Sequence, residues 1–311
     1  MKDRTILILA IVAVGLVGLA LLTRRVEHSR EQIKSGMIFP EARAEKVAAI
    51  EMIAKEDTVR LRREMGRWLV ATEGDEPADT AAVRGLLEKL SSFDRKYRVS
   101  NNPAMQATFE VDDASGMEAR LLDAQGKTLA DFRLGKNGPD FRSQYFRPAA
   151  SSEVYLIPEY LRGSFDVNRA TWRERTIFAF DPVRVQRVFI QGEKESFQID
   201  KTPAGEFVFA GPDSVRAKSN LVQAIARTLS TLRADDFPDS VLTAQQAGLA
   251  PPRQRVRVDM EDGGSHELRI GRETSGSRVY VARDQDETLM LLSAGRVSAL
   301  IRDAATLREE S

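Results

Sequence analysis

The stretch VAAIEM at residues 47–52 decides how the fold is interpreted, because it returns as VQRVFI at residues 185–190. The separation of about 138 residues is the length of a domain and exceeds the roughly 20 to 50 residues of a solenoid repeat. Further matches follow in the same order: WLV at 68–70 with FVF at 207–209, LSSF at 90–93 with LSTL at 229–232, LG at 134–135 with IG at 270–271, and YF at 145–146 with YV at 280–281. The matched positions are mostly apolar, which predicts two similar modules whose shared residues preserve packing rather than a reaction centre.

Short strands and hairpin turns predict an α+β fold with mainly antiparallel sheets. The sequences TVRLRRE at 58–64 and RWLVA at 67–71 flank the turn Met65-Gly66 and predict a hairpin with Trp68 in the core. Asp79 precedes an apolar stripe at helical spacing, which predicts a capped helix that packs on the sheet. The second module repeats this order with a helix over residues 219–232. Each module is therefore expected to be an antiparallel sheet with one main packed helix.

Residues 5–22 contain no charged side chain, and Lys2, Arg4, Arg24 and Arg25 flank them. A run of about 18 apolar residues is near the lower limit for crossing a hydrocarbon core about 30 Å thick. We predict a transmembrane anchor over residues 1–25, a juxtamembrane stalk over 26–38, a first module over 39–176 and a second over 177–311. Small residues at 18 and 20 leave a cleaved export signal as an alternative.

The sidedness of the large domain stays open on charge alone. Basic residues after the span outnumber those before it, which favours a cytoplasmic domain, but long domains cross the membrane largely regardless of charge. His28, in the stalk, is interpreted as a solvated surface residue.

Composition excludes several classes of function. The chain has no cysteine, so disulfides, thiolate nucleophiles and cysteine-based zinc sites are excluded. Lysine plus arginine and aspartate plus glutamate balance at 46 each, so no net positive field attracts nucleic acid. We predict no nucleic-acid partner.

Motifs that carry chemistry are weak throughout. Gly135 and Gly138 have the G-x-x-G spacing of a phosphate clamp, but we interpret them as a hairpin turn. Ser265, His266 and Glu267 cannot form a catalytic chain because neighbouring residues of a strand point to opposite faces. The acidic groups at 112–113, 235–236, 261–262 and 284–287 are interpreted as solvated turns. We predict no catalytic residue, no cofactor and no metal ligand, and the sequence identifies no small-molecule substrate.

Four arginines form the one local basic cluster of the folded region: Arg162, Arg169, Arg173 and Arg175. They are the candidate partner-binding residues. The alternative is that they solvate the connector between the modules and pair with Asp166 and Glu174.

The ordered motifs resemble the Domain of Unknown Function 4340 family. An N-terminal span, IFP at 38–40, the hairpin ending at Trp68, ADT at 78–80 and the connector over 172–181 carry the resemblance over nearly the whole chain. It implies a single-pass bacterial inner-membrane protein with a periplasmic domain, and protein partners from an ABC-type transporter of the gliding-motility kind. It carries over no catalytic residue.

We therefore expect a nonenzymatic binding or scaffolding protein that contacts the lipid bilayer through residues 5–22 and assists a transport complex. The alternative is a membrane-anchored hydrolase of the cell envelope with a carboxylate site, because 46 acidic residues always provide pairs.

Overall fold

The computed structural model describes Phe39 and residues 42–55, 57–72, 74–91, 97–212 and 215–309. The protein has an α+β fold with two antiparallel sheets, as predicted. The predicted membrane segment 5–22 and the stalk with His28 lie outside the described residues. No helix within the described residues is long and apolar enough to cross a membrane. The described chain divides between Glu174 and Arg175 into a first and a second compact unit.

Within the described residues, nine strands form the sheet of the first unit, in the order β4-β3-β2-β1-β6-β7-β8-β9-β5. The strands are β1 (Ala49–Ala54), β2 (Asp57–Glu64), β3 (Arg67–Val70), β4 (Glu76–Pro77), β5 (Tyr97–Ser100), β6 (Met117–Leu122), β7 (Thr128–Asn137), β8 (Gln144–Pro148) and β9 (Val154–Ile157). The helices are α1 (Thr80–Ser91) and the short α2 (Arg169–Trp172). Buried residues of α1 pack on one face of the sheet and form its core.

Seven described strands form the sheet of the second unit, in the order β12-β11-β10-β13-β14-β15-β16. The strands are β10 (Val185–Gln191), β11 (Ser196–Lys201), β12 (Phe207–Phe209), β13 (Gln254–Met260), β14 (Ser265–Glu273), β15 (Arg278–Arg283) and β16 (Met290–Ser293). The helices are α3 (Ser219–Ser230), α4 (Ala294–Leu300) and α5 (Ala304–Leu307).

The two sheets share one strand order. The series β3-β2-β1-β6-β7-β8-β9 of the first unit corresponds to β12-β11-β10-β13-β14-β15-β16 of the second. The strand registers also agree at equivalent positions. Leu61 of β2 pairs with Val70 of β3 in the first unit, and Ile199 of β11 pairs with Phe209 of β12 in the second. Trp68 and Phe207, which occupy equivalent positions, are both buried, as predicted.

After the main helix, the chain of each unit passes to the far edge of the sheet. In the first unit it continues from α1 into β5, which pairs with β9 at the far edge of the sheet. In the second unit it continues from α3 to Asp236, which forms a single bridge to Leu291 of β16. The bridge is thus a shortened counterpart of β5. The sequence did not reveal β5, because Tyr97–Ser100 is a short, isolated stretch.

The second unit ends in a connector like that of the first, which the sequence did not reveal. In the first unit the N–H of Asp79 donates to the carbonyl of Trp172, at the end of α2. In the second unit the N–H of Lys218 donates to the carbonyl of Leu307, at the end of α5. Bridges from Ala78 to Arg173 and from Ala217 to Arg308 then follow. A short helix therefore returns to the same sheet edge in both units, and Trp172 and Leu307 are both buried there.

Local signals placed the hairpin and the helix correctly. Met65 and Gly66 both have positive φ, at 47° and 80°, as a two-residue hairpin turn of the mirror-image type requires. Asp79 Oδ1 accepts hydrogen bonds from the N–H groups of Ala81 and Ala82, which confirms the predicted cap.

The interpretation of Gly135 as part of a hairpin turn is wrong. Gly135 lies inside β7, where a chain segment crosses the outer face of the sheet. A Cβ atom at Gly135 would lie 2.2 Å from the Phe109 carbonyl oxygen, and the N–H of Lys136 donates to the same oxygen. At Gly271 of β14, a Cβ atom would lie 2.1 Å from the carbonyl oxygen of residue 247. The repeated glycine is therefore required by a close backbone crossing present in both units.

Replacing Gly135 or Gly271 by alanine is expected to lower the free energy of unfolding by about 1–3 kcal/mol or more, because the backbone must shift to admit the methyl group. Urea titration of each variant measures this loss. The matched control is Gly85→Ala in α1, where an added Cβ meets nothing within 4 Å. That change is expected to stabilise by about 0.5–1 kcal/mol. Similar changes in the free energy of unfolding at Gly85, Gly135 and Gly271 would contradict the close backbone crossing.

Candidate partner-binding surface

The predicted arginine cluster is divided by the structure. Arg169 and Arg173 converge on Glu76 of β4, with N–O distances of 2.6 and 2.8 Å. Arg162 lies 4.0 Å from Glu110. Arg175 belongs to the second unit.

Each of the four arginines therefore has a partner within its own unit. Arg175 donates to the Asp235 carbonyl at 2.5 Å and lies 5.9 Å from the Phe237 ring centroid. Glu76 was missed by sequence reasoning, because β4 lies beside the connector through backbone pairing of distant segments, at the bridge from Ala78 to Arg173 and at the bond from the Glu174 N–H to the Pro77 carbonyl.

A ladder of ion pairs covers the outer face of the first sheet from β2 to β8. Four pairs join neighbouring strands: Arg60 with Glu51 at 3.3 Å, Glu51 with Arg120 at 3.9 Å, Arg120 with Asp131 at 3.4 Å and Arg133 with Glu118 at 3.0 Å. Arg133 and Arg147 both pair with Asp113, on the segment before β6, at 3.4 and 3.0 Å. Exposed pairs such as Arg60 with Glu51 contribute about 0–1 kcal/mol each, whereas the side chains of Arg133 and Arg147 are only 11% and 7% exposed. The ladder makes this half of the face charged and internally compensated.

The acidic turns are structural in the described chain. Asp112 Oδ1 accepts from the N–H groups of Ala114 and Ser115. Asp284 Oδ1 accepts from the N–H of Glu267. No group of three or more histidine, aspartate or glutamate side chains within the described residues is placed to hold a metal ion.

The side chain of His266 lies on the opposite face of the strand from those of its neighbours Ser265 and Glu267. His266 pairs with buried Val258 and stacks on Phe180, with ring centroids 4.8 Å apart and an interplanar angle of 7°. Phe178 contacts the same ring edge-on at 5.4 Å. The triplet therefore has the alternation predicted for a strand.

A shallow depression of about 420 Å³ lies on the second sheet, lined by residues that include Arg187, Asp200, Arg257 and Asp259. Arg187 lies between two carboxylates, 2.7 Å from Asp200 and 3.4 Å from Asp259. The hydrogen bond and charge of Asp200 raise the pKa of Arg187. Arg257 also pairs with Asp259, at 2.8 Å. The charges of these four residues are thus paired with one another.

An apolar row occupies the other half of the outer face of the first sheet. Tyr145 of β8 faces Leu156 of β9, which faces Tyr97 of β5. The Phe109 ring, on the crossing segment, lies 4.5 Å from that of Tyr145. Tyr97 and Val99 are 43% and 39% exposed. We call Phe109, Tyr145, Leu156, Tyr97 and Val99 the apolar row. It ends on β5, which is the edge strand of the described sheet.

The equivalent edge of the second unit is closed by ion pairs. Asp235 accepts from the Ser293 N–H at 2.7 Å and pairs with Arg296 at 2.6 Å. Asp236 pairs with Arg278 at 2.5 Å. Charged side chains of this kind protect a sheet edge against pairing with another chain. The edge strand β5 of the first unit also has one ion pair, Arg98 with Glu153 at 2.8 Å, but it exposes the apolar side chains of Tyr97 and Val99 as well.

Comparison with known proteins identifies the family. The model of the domain of unknown function DUF4340 matches residues 68–246 and again residues 208–311. The chain belongs to the DUF4340 family. The two matches begin on β3 and β12, which are equivalent strands of the two units. No curated protein and no solved structure matches the chain.

Replacing Glu76 by glutamine is expected to destabilise the DUF4340 protein by about 1–3 kcal/mol, since the carboxylate charge beside Arg173, whose side chain is only 11% exposed, is removed. Thermal or urea unfolding measures the change. Arg162→Ala is the control, because its side chain is 37% exposed and its pair is long. That variant should stay within about 0.5 kcal/mol of the parent. Equal losses in the two variants would contradict a structural role confined to Arg169 and Arg173.

Proposed function

We propose that this DUF4340 protein is a single-pass, membrane-anchored binding or scaffolding protein of the bacterial inner membrane. Its two tandem homologous α+β units lie in the periplasm, and it is an accessory component of an ABC-type transport complex. The apolar run at residues 5–22 supports the anchor. The family resemblance supports the transporter association.

One observation carries the binding role: the apolar row ends on an exposed edge strand. Exposed apolar patches mark interaction sites, and an edge strand offers backbone groups for pairing with another chain. The second unit, which has the same strand order, closes its equivalent edge with Arg278 and Arg296. This difference within one chain favours the edge of the first unit as the partner-binding surface.

Purification of the tagged full-length protein from native membranes in a mild detergent tests the role. The ATPase and membrane subunits of a transporter are expected to co-purify. The double variant Tyr97→Glu/Val99→Glu should recover them several-fold less, since two carboxylates disrupt the apolar edge without reaching the core. Val183→Glu is the matched control, because Val183 is 73% exposed in the second unit.

Recovery of no transporter subunit with the parent protein would overturn the transporter association. Equal recovery with the parent and the double variant would overturn the assignment of the binding surface. Circular dichroism of the variants checks that each remains folded.

The periplasmic location predicts the behaviour of a reporter fused after residue 311. An enzyme that is active only in the periplasm should be active, and a reporter active only in the cytoplasm should be silent. The opposite pattern would place the two units in the cytoplasm.

A further inference from the structure

We infer that one end of the sheet of the first unit lies on the bilayer surface and contacts the bilayer through Phe141 and Tyr160. This inference rests on the membrane anchor of the proposed function. Phe141 is 79% exposed and Tyr160 is 47% exposed. Both lie outside the apolar row and occupy the loops that follow β7 and β9.

The loop that carries Phe141 is held in shape by its own polar groups. Asp140 Oδ1 accepts from the N–H groups of Arg142 and Ser143 and from the Ser143 hydroxyl. The Ser143 hydroxyl and N–H lower the pKa of Asp140, so the carboxylate stays ionised. Phe141 itself has φ at +56°, a backbone region that bulky residues rarely adopt. The loop therefore holds the Phe141 ring in solvent. The positive φ of Phe141 has a conformational cost, and packing of the ring within the unit does not offset it.

One buried side chain joins the two loops. Gln144, which begins β8, accepts from the N–H groups of Leu161 and Arg162 through Oε1. Its amide donates to the Gly135 carbonyl at 3.0 Å. Gln144 is fully buried. Phe141 precedes Gln144 by three residues, and Tyr160 precedes Leu161, so both aromatic residues are positioned at the same end of the sheet.

The tether from the predicted membrane segment is long enough to bring this end to the bilayer. Residues 23–38 separate the apolar run from Phe39, and sixteen residues span at most about 55 Å. Phe39 packs on Phe132 of β7 and Phe146 of β8, at 5.5 and 6.0 Å between ring centroids. Phe141 is five residues from Phe146 along the chain, or less than about 18 Å. The chain thus joins the unit on the two strands whose connecting loop presents Phe141.

The chemistry of this end fits the headgroup region of a membrane. Tyrosine has an apolar ring and a polar hydroxyl, which suit a boundary between hydrocarbon and water. Lys136 and Arg142, both exposed, flank the Phe141 loop and can approach lipid phosphates. The tether, at most about 55 Å long, keeps this end of the sheet within reach of the bilayer.

The absence of cysteine allows a direct test with the full-length chain in phospholipid vesicles. Phe141→Cys and Tyr160→Cys are each labelled with an environment-sensitive fluorophore, and Val241→Cys in the second unit is the control, because Val241 is fully exposed. Quenching by lipids that carry a quencher near the headgroup is expected to be several-fold stronger at 141 and 160 than at 241.

Flotation of the same vesicles separates the two ways in which the test can fail. If the protein does not float with the vesicles, the membrane anchor of the proposed function is wrong. If it floats but quenching at 141 and 160 equals quenching at 241, the anchor stands and the bilayer contact is overturned. The charge reversals Lys136→Glu and Arg142→Glu, which leave the core untouched, should weaken quenching at 141 in vesicles with anionic lipid.

Discussion

The structure of each unit depends on one close crossing of backbone over backbone. A segment of the chain passes over the outer face of the sheet and presses a carbonyl against a strand at Gly135 or Gly271, where no side chain fits. The next residue of the strand, Lys136 or Arg272, donates its N–H to that carbonyl. The pairing of each strand with the next strand shifts register at this point.

The crossing determines what the outer face of each sheet presents. In the first unit it brings Phe109 onto Tyr145 and separates the ladder of ion pairs from the apolar row. In the second unit it brings Ala247 and Leu249 into a small apolar cluster with Tyr280, the counterpart of Tyr145. The cation of Arg272 lies 5.0 Å from the Tyr280 ring centroid. The same backbone path therefore supports an exposed apolar row in one unit and a more enclosed cluster in the other.

Sequence reasoning predicted the parts of the fold that depend on local signals. The Met65-Gly66 hairpin and the Asp79 cap follow from turn and cap chemistry, and the repeat followed from apolar residues in a shared order. It missed β5, the bridge at Asp236 and the connector at 304–307, because each forms by pairing with a distant strand. It misinterpreted Gly135, since a glycine required by a crossing has the same local appearance as a glycine in a turn.

The candidate surface was harder to predict than the fold, because exposure and pairing decide it. Arg169 and Arg173 share Glu76, which was not among the predicted partners, whereas Arg162 lies beside Glu110 and Arg175 donates to a backbone carbonyl. Conversely, Tyr97 is far from Leu156 and Tyr145 in the chain and meets them only through the pairing of β5 with β9.

Hydrogen exchange of the Lys136 and Arg272 amides tests the equivalence of the two units most directly. These N–H groups donate to the carbonyls of Phe109 and Ala247, at 3.2 and 2.9 Å. Both amides are expected to exchange as slowly as the central strands of their own sheets, since the crossing opens only when the unit unfolds. Fast exchange at either amide, in a protein whose central strands stay protected, would contradict the shared crossing.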